Sequence, residues 1–250
     1  MTPQTPNEIH VPALMDGDKV IVPEAWLGRD VEYRKDGDNP LTAVAYNEQM
    51  QLPALAELRR AYFDKKPDGS FVSPEYRESV LSKRGYGEWT STWLRNGKEA
   101  IERPEKVFYD KKHKLWIAEG GKVKKVELPS DGWTLEYDKP TGFPSRTSQN
   151  RKDAERVFGD DTSYFWSNSN GLRAVLRNFT LSDSGPFCVD ALYGPGARDS
   201  SIGSRSCSRS EQDAKRLATP VYVMGQTEYK ALIQKHQEIG DLLSKIRVHE

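Results

Sequence analysis

Cysteine is scarce: two residues, Cys188 and Cys207, occur in 250. That excludes the disulfide-dense scaffold of small secreted domains, and leaves the pair either joined or as buried thiols. No apolar run approaches the length of a membrane span, so membrane insertion is not expected. Met1 to His10 is polar and lacks the basic-then-apolar layout of a secretion signal; activity outside a cell would require another route, such as carriage on a virion. Net charge is missing too, with 37 basic and 37 acidic residues giving +0. Nucleic-acid binders usually carry a basic excess or a clustered basic face. Here Lys111-Lys112-His113-Lys114 and Lys122-Val123-Lys124-Lys125 lie beside turn signals and read as solvated hairpin residues. Nucleic acid is not an expected partner.

Catalytic patterns are equally sparse. The histidines His10, His113, His236 and His249 include no pair at metal-ligand spacing, and none adjoins a cysteine. There is no Gly-x-Ser-x-Gly elbow, Walker loop or dinucleotide fingerprint. Gly194-Pro195-Gly196-Ala197 lacks the preceding strand and following helix of a phosphate cradle. Asp16 and Asp18, and again Asp36 and Asp38, open with the spacing of a calcium loop but lack its later ligands and closing Glu, so both read as turns. Asn178-Phe179-Thr180 fits a glycosylation sequon, a pattern common by chance. No catalytic residue, metal or cofactor is expected, which favours a binding module over an enzyme.

Core-forming residues are present. Hydrophobic residues make up 36% and aromatics 10%, with six tryptophans, enough for a packed interior. Ile9 to Leu14 and Val20 to Trp26 read as strands separated by Asp16-Gly17-Asp18. Leu52-Pro53 opens a helix with Leu55, Leu58 and Tyr62 on one face, stopped by Pro67-Asp68-Gly69. A second helix starts at Ser73-Pro74 and turns Tyr76, Val80 and Leu81 inward. Glu88 to Leu94 reads as a strand ending in the turn dipeptide Asn96-Gly97. Val107 to Tyr109, Leu115 to Ala118 and Val123 to Leu128 are further strands, with Gly120-Gly121 predicting a hairpin between the last two. Asp138 to Arg151 reads as loop. Thr227 to Arg247 predicts an amphipathic helix with Tyr229, Leu232, Ile233, His236, Leu243 and Ile246 on one face.

The window Ser167 to Ser210 stands apart. It contains no Lys, Glu, Gln, Met, Trp or His, although Lys and Glu are dense elsewhere. Turn residues dominate, as in any long irregular segment. Val175, Leu176, Phe187, Cys188, Val189 and Ile202 punctuate it and can tie it to a core, which argues against disorder. Small adaptable polar residues mixed with Tyr and Arg also match the composition of antibody binding loops, and long structured loops are usually functional.

Three stretches in this window carry a resemblance. Val175-Leu176-Arg177-Asn178-Phe179, Gly185-Pro186-Phe187-Cys188-Val189 and Asp199-Ser200-Ser201-Ile202-Gly203-Ser204-Arg205-Ser206-Cys207 resemble the variable region of diversity-generating retroelement variable proteins, its archaeal viral members in particular. Upstream, Leu52-Pro53 with Glu57-Leu58, and Glu88-Trp89-Thr90-Ser91, are similar to the first-helix and strand signatures of formylglycine-generating-enzyme-type lectin folds. The resemblance spans roughly residues 40 to 207. It implies an α+β protein with a C-type lectin-like fold: a small twisted antiparallel sheet, two helices and a long irregular loop region. It also implies one domain over 1–250, with a variable region at about 168–207 and a C-terminal helical extension at 211–250. No Glu-Pro-Asn or Trp-Asn-Asp sugar motif is present, so "lectin" denotes fold.

Retroelement diversification miscopies template adenines, and Asn codons changed in this way cannot yield Lys, Glu, Gln, Met or Trp. By match to the motif, the expected exposed, diversified positions are Gly171, Leu172, Thr180, Leu181, Asp183, Asp190, Leu192, Tyr193, Gly194, Gly196, Ala197, Asp199, Ser200 and Ser201. Ile202, Arg205 and Cys207 are expected to be scaffold. The implied ligand is a protein or other macromolecule on a host surface. Two alternatives stay open: an oxidase of the formylglycine-generating type using Cys188 and Cys207, and an invariant structural virion component.

Overall fold

Alternation along a single strand organises the molecule. In the computed structural model, which describes residues 8–33, 40–41, 52–179 and 184–208, β5 (Gly87–Arg95) sends Trp89 and Trp93 to one side of a sheet and Leu94 to the other. Successive side chains of a strand point to opposite faces, so one sheet divides two cores. The described residues fall within one compact unit.

The chain begins with β1 (Glu8–Val11), β2 (Leu14–Asp16), β3 (Lys19–Val22) and β4 (Ala25–Gly28). Pro12 and Pro23 break the two expected strands into these four. Helices α1 (Leu55–Phe63) and α2 (Pro74–Ser82) follow, then β5. Next come β6 (Glu99–Glu102), β7 (Lys106–Asp110), β8 (Leu115–Glu119), β9 (Lys122–Lys125), β10 (Gly132–Tyr137) and β11 (Pro144–Ser148). Helix α3 (Arg151–Phe158) precedes β12 (Tyr164–Ser167), β13 (Leu172–Asn178), β14 (Cys188–Ala191), β15 (Ile202–Ser204) and β16 (Cys207–Ser208). The architecture is α+β and strand-dominated. Its main sheet has nine strands in the order β11-β10-β12-β14-β13-β5-β6-β9, with β15 paired to β5 in parallel. A smaller sheet, β1-β4-β16, joins the first strands to the last described ones.

On one face, here the helix face, Leu94, Val175, Val189 and Ala191 pack under Leu55, Leu58, Tyr62, Tyr76 and Val80. On the opposite face Trp89, Trp93, Ile101, Leu172, Ala174, Leu176 and Ile202 form a second cluster. Val107, Trp116 and Ala118 of the β7–β8 hairpin cover it, together with Leu52 and Tyr193. Tyr193 belongs to the segment 192–201, so this is the loop face.

Helix α1 is tied to β5 at its start, where Leu55 N donates to Thr92 Oγ1 at 2.9 Å. Glu57, in the first turn, accepts from Ala54 N at 2.8 Å, which satisfies one of the orphan amides of a helix N-terminus. Helix α2 has Pro74 at its start, as expected, with Tyr76 and Val80 buried. Leu81 corrects the inward expectation: it is 45% exposed, because one further residue rotates it off the stripe that Tyr76 and Val80 share.

Three other expectations change. Gly120-Gly121 does not join a hairpin, since β8 pairs with β7 and β9 pairs with β6. Both glycines have positive φ, 69° and 78°, and a Cβ on Gly121 would lie 2.6 Å from Glu102 O. The pair is a corner that brings β9 against β6, a close approach open only to glycine. Lys124 is accordingly held by Glu102 at 2.7 Å rather than simply solvated. The stretch 138–151, expected as loop, holds β11 and the start of α3. Pro144 opens an edge strand, where a missing N–H costs nothing, and Asn150 caps α3 by accepting from Lys152 N at 3.1 Å. The expected helix at 227–247, the extension 211–250 and the acidic turn at Asp36 and Asp38 lie outside the described residues.

Candidate ligand-binding site

Two structures hold the expected variable region in place. The first is a buried charge cluster on the helix face. Glu88, fully buried, receives Arg177 Nε at 2.9 Å, Arg205 Nε at 2.6 Å and the Tyr76 hydroxyl at 2.5 Å. Arg205 also donates to Gly28 O at 2.6 Å and Arg29 O at 2.8 Å, and lies over the Tyr76 ring. Burial alone would raise the Glu88 carboxyl, but Arg205 and Arg177, helped by the Tyr76 hydroxyl, override it and hold the group at about 2. One carboxylate thus ties β5 to β13 and to the segment after β15. The expectation that Ile202, Arg205 and Cys207 are scaffold agrees with their exposures of 1%, 1% and 2%.

The second is the path of the segment 192–201 across the loop face. Ala174 N donates to Tyr193 O at 3.0 Å, and the Tyr193 ring meets Trp89 edge-on with centroids 5.5 Å apart. Ala197 N closes a turn onto Gly194 O at 3.1 Å, and Ile202 N bonds Asp199 O at 3.1 Å. Asp199 Oδ1 accepts from Ser201 N and Oγ at 2.9 and 2.6 Å, and Gly87 N caps Ser201 O at 2.8 Å. The loop folds on its own backbone and a few side-chain braces.

The expected positions separate on this frame. Leu192, Gly196, Ser200 and Gly171 are exposed, and Tyr193, Gly194, Ala197, Asp199 and Ser201 are half-buried. Leu172 and Asp190 depart from the expected exposure. Leu172 belongs to the loop-face core, because its place in β13 points it beside Trp93. Asp190 is 7% exposed, flanked by Leu176 and Trp166 on neighbouring strands, and its Oδ1 accepts from Leu192 N at 2.9 Å. Burial, with a smaller push from Asp131, raises its carboxyl to about 6. Thr180, Leu181 and Asp183 lie outside the described residues.

The glycines divide the region further. A Cβ on Gly196 would meet nothing within 4 Å, and one on Gly194 only the flexible end of Arg173 at 3.8 Å. Gly185 and Gly203 leave no such room, since a Cβ there would run into the backbone of Thr162 or Glu32. Gly171 has open space but φ of +70°, which strains any side chain placed there.

Both cysteines are buried thiols. Burial pushes Cys188 up to about 12. Cys207 lies 3.7 Å from Glu57 Oε2 and 3.9 Å from Arg103 Nη2, an arrangement in which Arg103 and Glu57 are also bonded to each other at 2.7 Å. Among the described residues there is no group of three or more His, Cys, Asp and Glu arranged to hold a metal ion, and no helix long and apolar enough to cross a membrane.

Sequence reasoning missed three side chains near this surface: Trp133, Tyr164 and Trp166. They stand on the loop face of β10 and β12, and the alternation Tyr164-Phe165-Trp166 was the available signal. Comparison with family models, with curated proteins and with solved structures finds no match for this chain.

Proposed function

We propose that the chain is a non-catalytic ligand-binding protein whose loop face, between about residues 168 and 207, is a retroelement-diversified surface on a C-type lectin-like fold. Its role is attachment to a macromolecule on a host surface. The single observation that carries the reading is the contrast in tolerance along the segment. Gly194 and Gly196 have room for a side chain and Leu192 and Ser200 are exposed, while Gly185, Ile202, Gly203 and Arg205 are held against backbone or buried. A surface meant to vary needs such a division, because its fold must survive substitution at the ligand contacts. The missing Lys, Glu, Gln, Met and Trp in the window support the same reading.

Leu172 and Asp190 are assigned to the scaffold side of this division, and Asp199 and Ser201 act as braces as well as surface. Deep sequencing of this gene in one natural population tests the reading. Substitutions should cluster at Leu192, Gly194, Gly196, Ala197 and Ser200 and arise at template adenines. Differences scattered evenly along the chain would overturn diversification, and an unchanging 168–201 would favour a structural virion component.

A further inference from the structure

The loop face continues past the segment 192–201 onto β12 and β10, and there it is bare of any core. Trp133 pairs with Tyr164 across β10 and β12, and Trp166, two residues on, stands beside Asp190 of β14. The intervening Phe165 points to the helix-face core and is fully buried, so the other three rings share the loop face. All three are half-buried, yet neither hydrophobic cluster contains them. Trp133 and Tyr164 meet edge-on at 5.3 Å, and Tyr164 and Trp166 lie tilted at 4.7 Å.

Two carboxylates border the rings. Asp131 uses Oδ1 to accept from Ser167 N at 3.0 Å and Ser167 Oγ at 3.3 Å. Asp190 uses its Oδ1 for Leu192 N. Neither has a cationic partner among the described residues. The cation beside the rings, Arg151, lies over Trp133 at 5.3 Å and is already neutralised by Glu155 at 2.8 Å. Arg173 is turned to Leu192 O at 3.4 Å.

We propose that Trp133, Tyr164 and Trp166 with Asp131 and Asp190 form a second subsite, which takes an Arg or Lys side chain of a partner protein. Ring faces are electron-rich and attract cations within about 6 Å of the centroid. Two carboxylates without a counter-charge supply the remaining attraction, and a neutral sugar would leave that charge uncompensated. Trp and Tyr beside a cation are also the composition of interface hot spots. The subsite rests on the proposed reading for the partner's being a macromolecule bound at this face, and its residues lie outside the tolerant segment.

Titration of the full chain with the peptide Ac-Arg-Gly-Arg-Gly-Arg-amide, followed by tryptophan fluorescence and calorimetry, tests it. The citrulline version of the peptide and maltohexaose serve as neutral probes. The arginine peptide should bind about tenfold tighter than the citrulline peptide, the worth of one desolvated cation–π contact with its carboxylate. Asp190→Asn should weaken the arginine peptide by a similar factor, and Trp166→Ala should abolish binding. Trp166→Phe, which retains a ring, should bind in between and guards against a folding defect. Equal binding of the citrulline peptide, tighter binding of maltohexaose, no binding of the arginine peptide, or binding untouched by Asp190→Asn and Trp166→Phe would each overturn the subsite. The survey reads variation in the segment 192–201, whereas the titration reads binding at Trp133, Tyr164 and Trp166. A failed population survey therefore sinks the diversified loop without touching this result, and a failed titration sinks the subsite alone.

Discussion

The cluster around Glu88 and the segment from Leu192 to Ser201 draw on the same few polar residue types, Arg, Asp or Glu, Ser and Tyr, and do opposite things with them. Around Glu88 every charge is buried and matched: Arg177 and Arg205 each meet one carboxylate oxygen, and Tyr76 donates to the first. In the segment, Asp199 and Ser201 satisfy nearby backbone, and Ser200 and Gly196 face solvent. The difference teaches that residue type does not decide between brace and surface. Desolvation does, because a buried charge without its partner is costly while an exposed one is nearly indifferent.

The largest effect should come from breaking the buried side of that contrast. Glu88→Ala strands two buried guanidiniums and should cost about 3–5 kcal/mol in denaturant unfolding; a loss near the level of a surface substitution would show that the cluster does not hold the region. The same group predicts an acid response. Its folded carboxyl is held at about 2, below the ordinary glutamate value. Its stabilisation is therefore complete above the unfolded value of about 4.3 and is lost as pH falls from there towards 2. Thermal unfolding across that range should show the loss in the native chain and not in a folded Glu88→Gln variant.

A smaller effect of opposite sign belongs to Asp190. Its folded carboxyl is raised to about 6, so the folded state keeps a proton that the unfolded state has released. Stability should fall as pH rises from about 4 to 6 and stay level above. Asp190→Asn should remove this slope and raise stability at pH 7 by about 1–3 kcal/mol, measured by chemical unfolding. The smallest effects should lie in the segment itself. Tyr193→Ala, which removes the edge contact with Trp89, should cost about 1 kcal/mol. Leu192→Ser and Ser200→Asn should change stability by less than about 0.5 kcal/mol. If those two proved as damaging as Glu88→Ala, the division between brace and surface would collapse.

Much of the secondary structure was legible because local rules governed it. Pro74 starts α2, and Asn96-Gly97, with φ of 52° and 65°, turns β5 into β6 as that dipeptide commonly does. The Gly120-Gly121 hairpin was misread because strand partners are chosen by tertiary packing, and both glycines serve a corner instead. Leu172 and Asp190 were placed on the surface because a motif match carries no information about which face a strand residue occupies. Tyr164 and Trp166 share one face of β12 by alternation, but Trp133 joins them only when β10 pairs with β12.

By itself the sequence determined the mixture of helices and strands, the position of α2 and the Lys- and Glu-free window with its apolar punctuation. Those features depend on local propensity, periodicity and composition, which any stretch of chain displays alone. The tertiary structure decided which polar residues became braces, which glycines could never carry a side chain, and where three rings gathered beside two carboxylates. Each of these depends on burial and on partners far along the chain, as with Arg205 and Gly28, 177 residues apart, which local pattern does not fix.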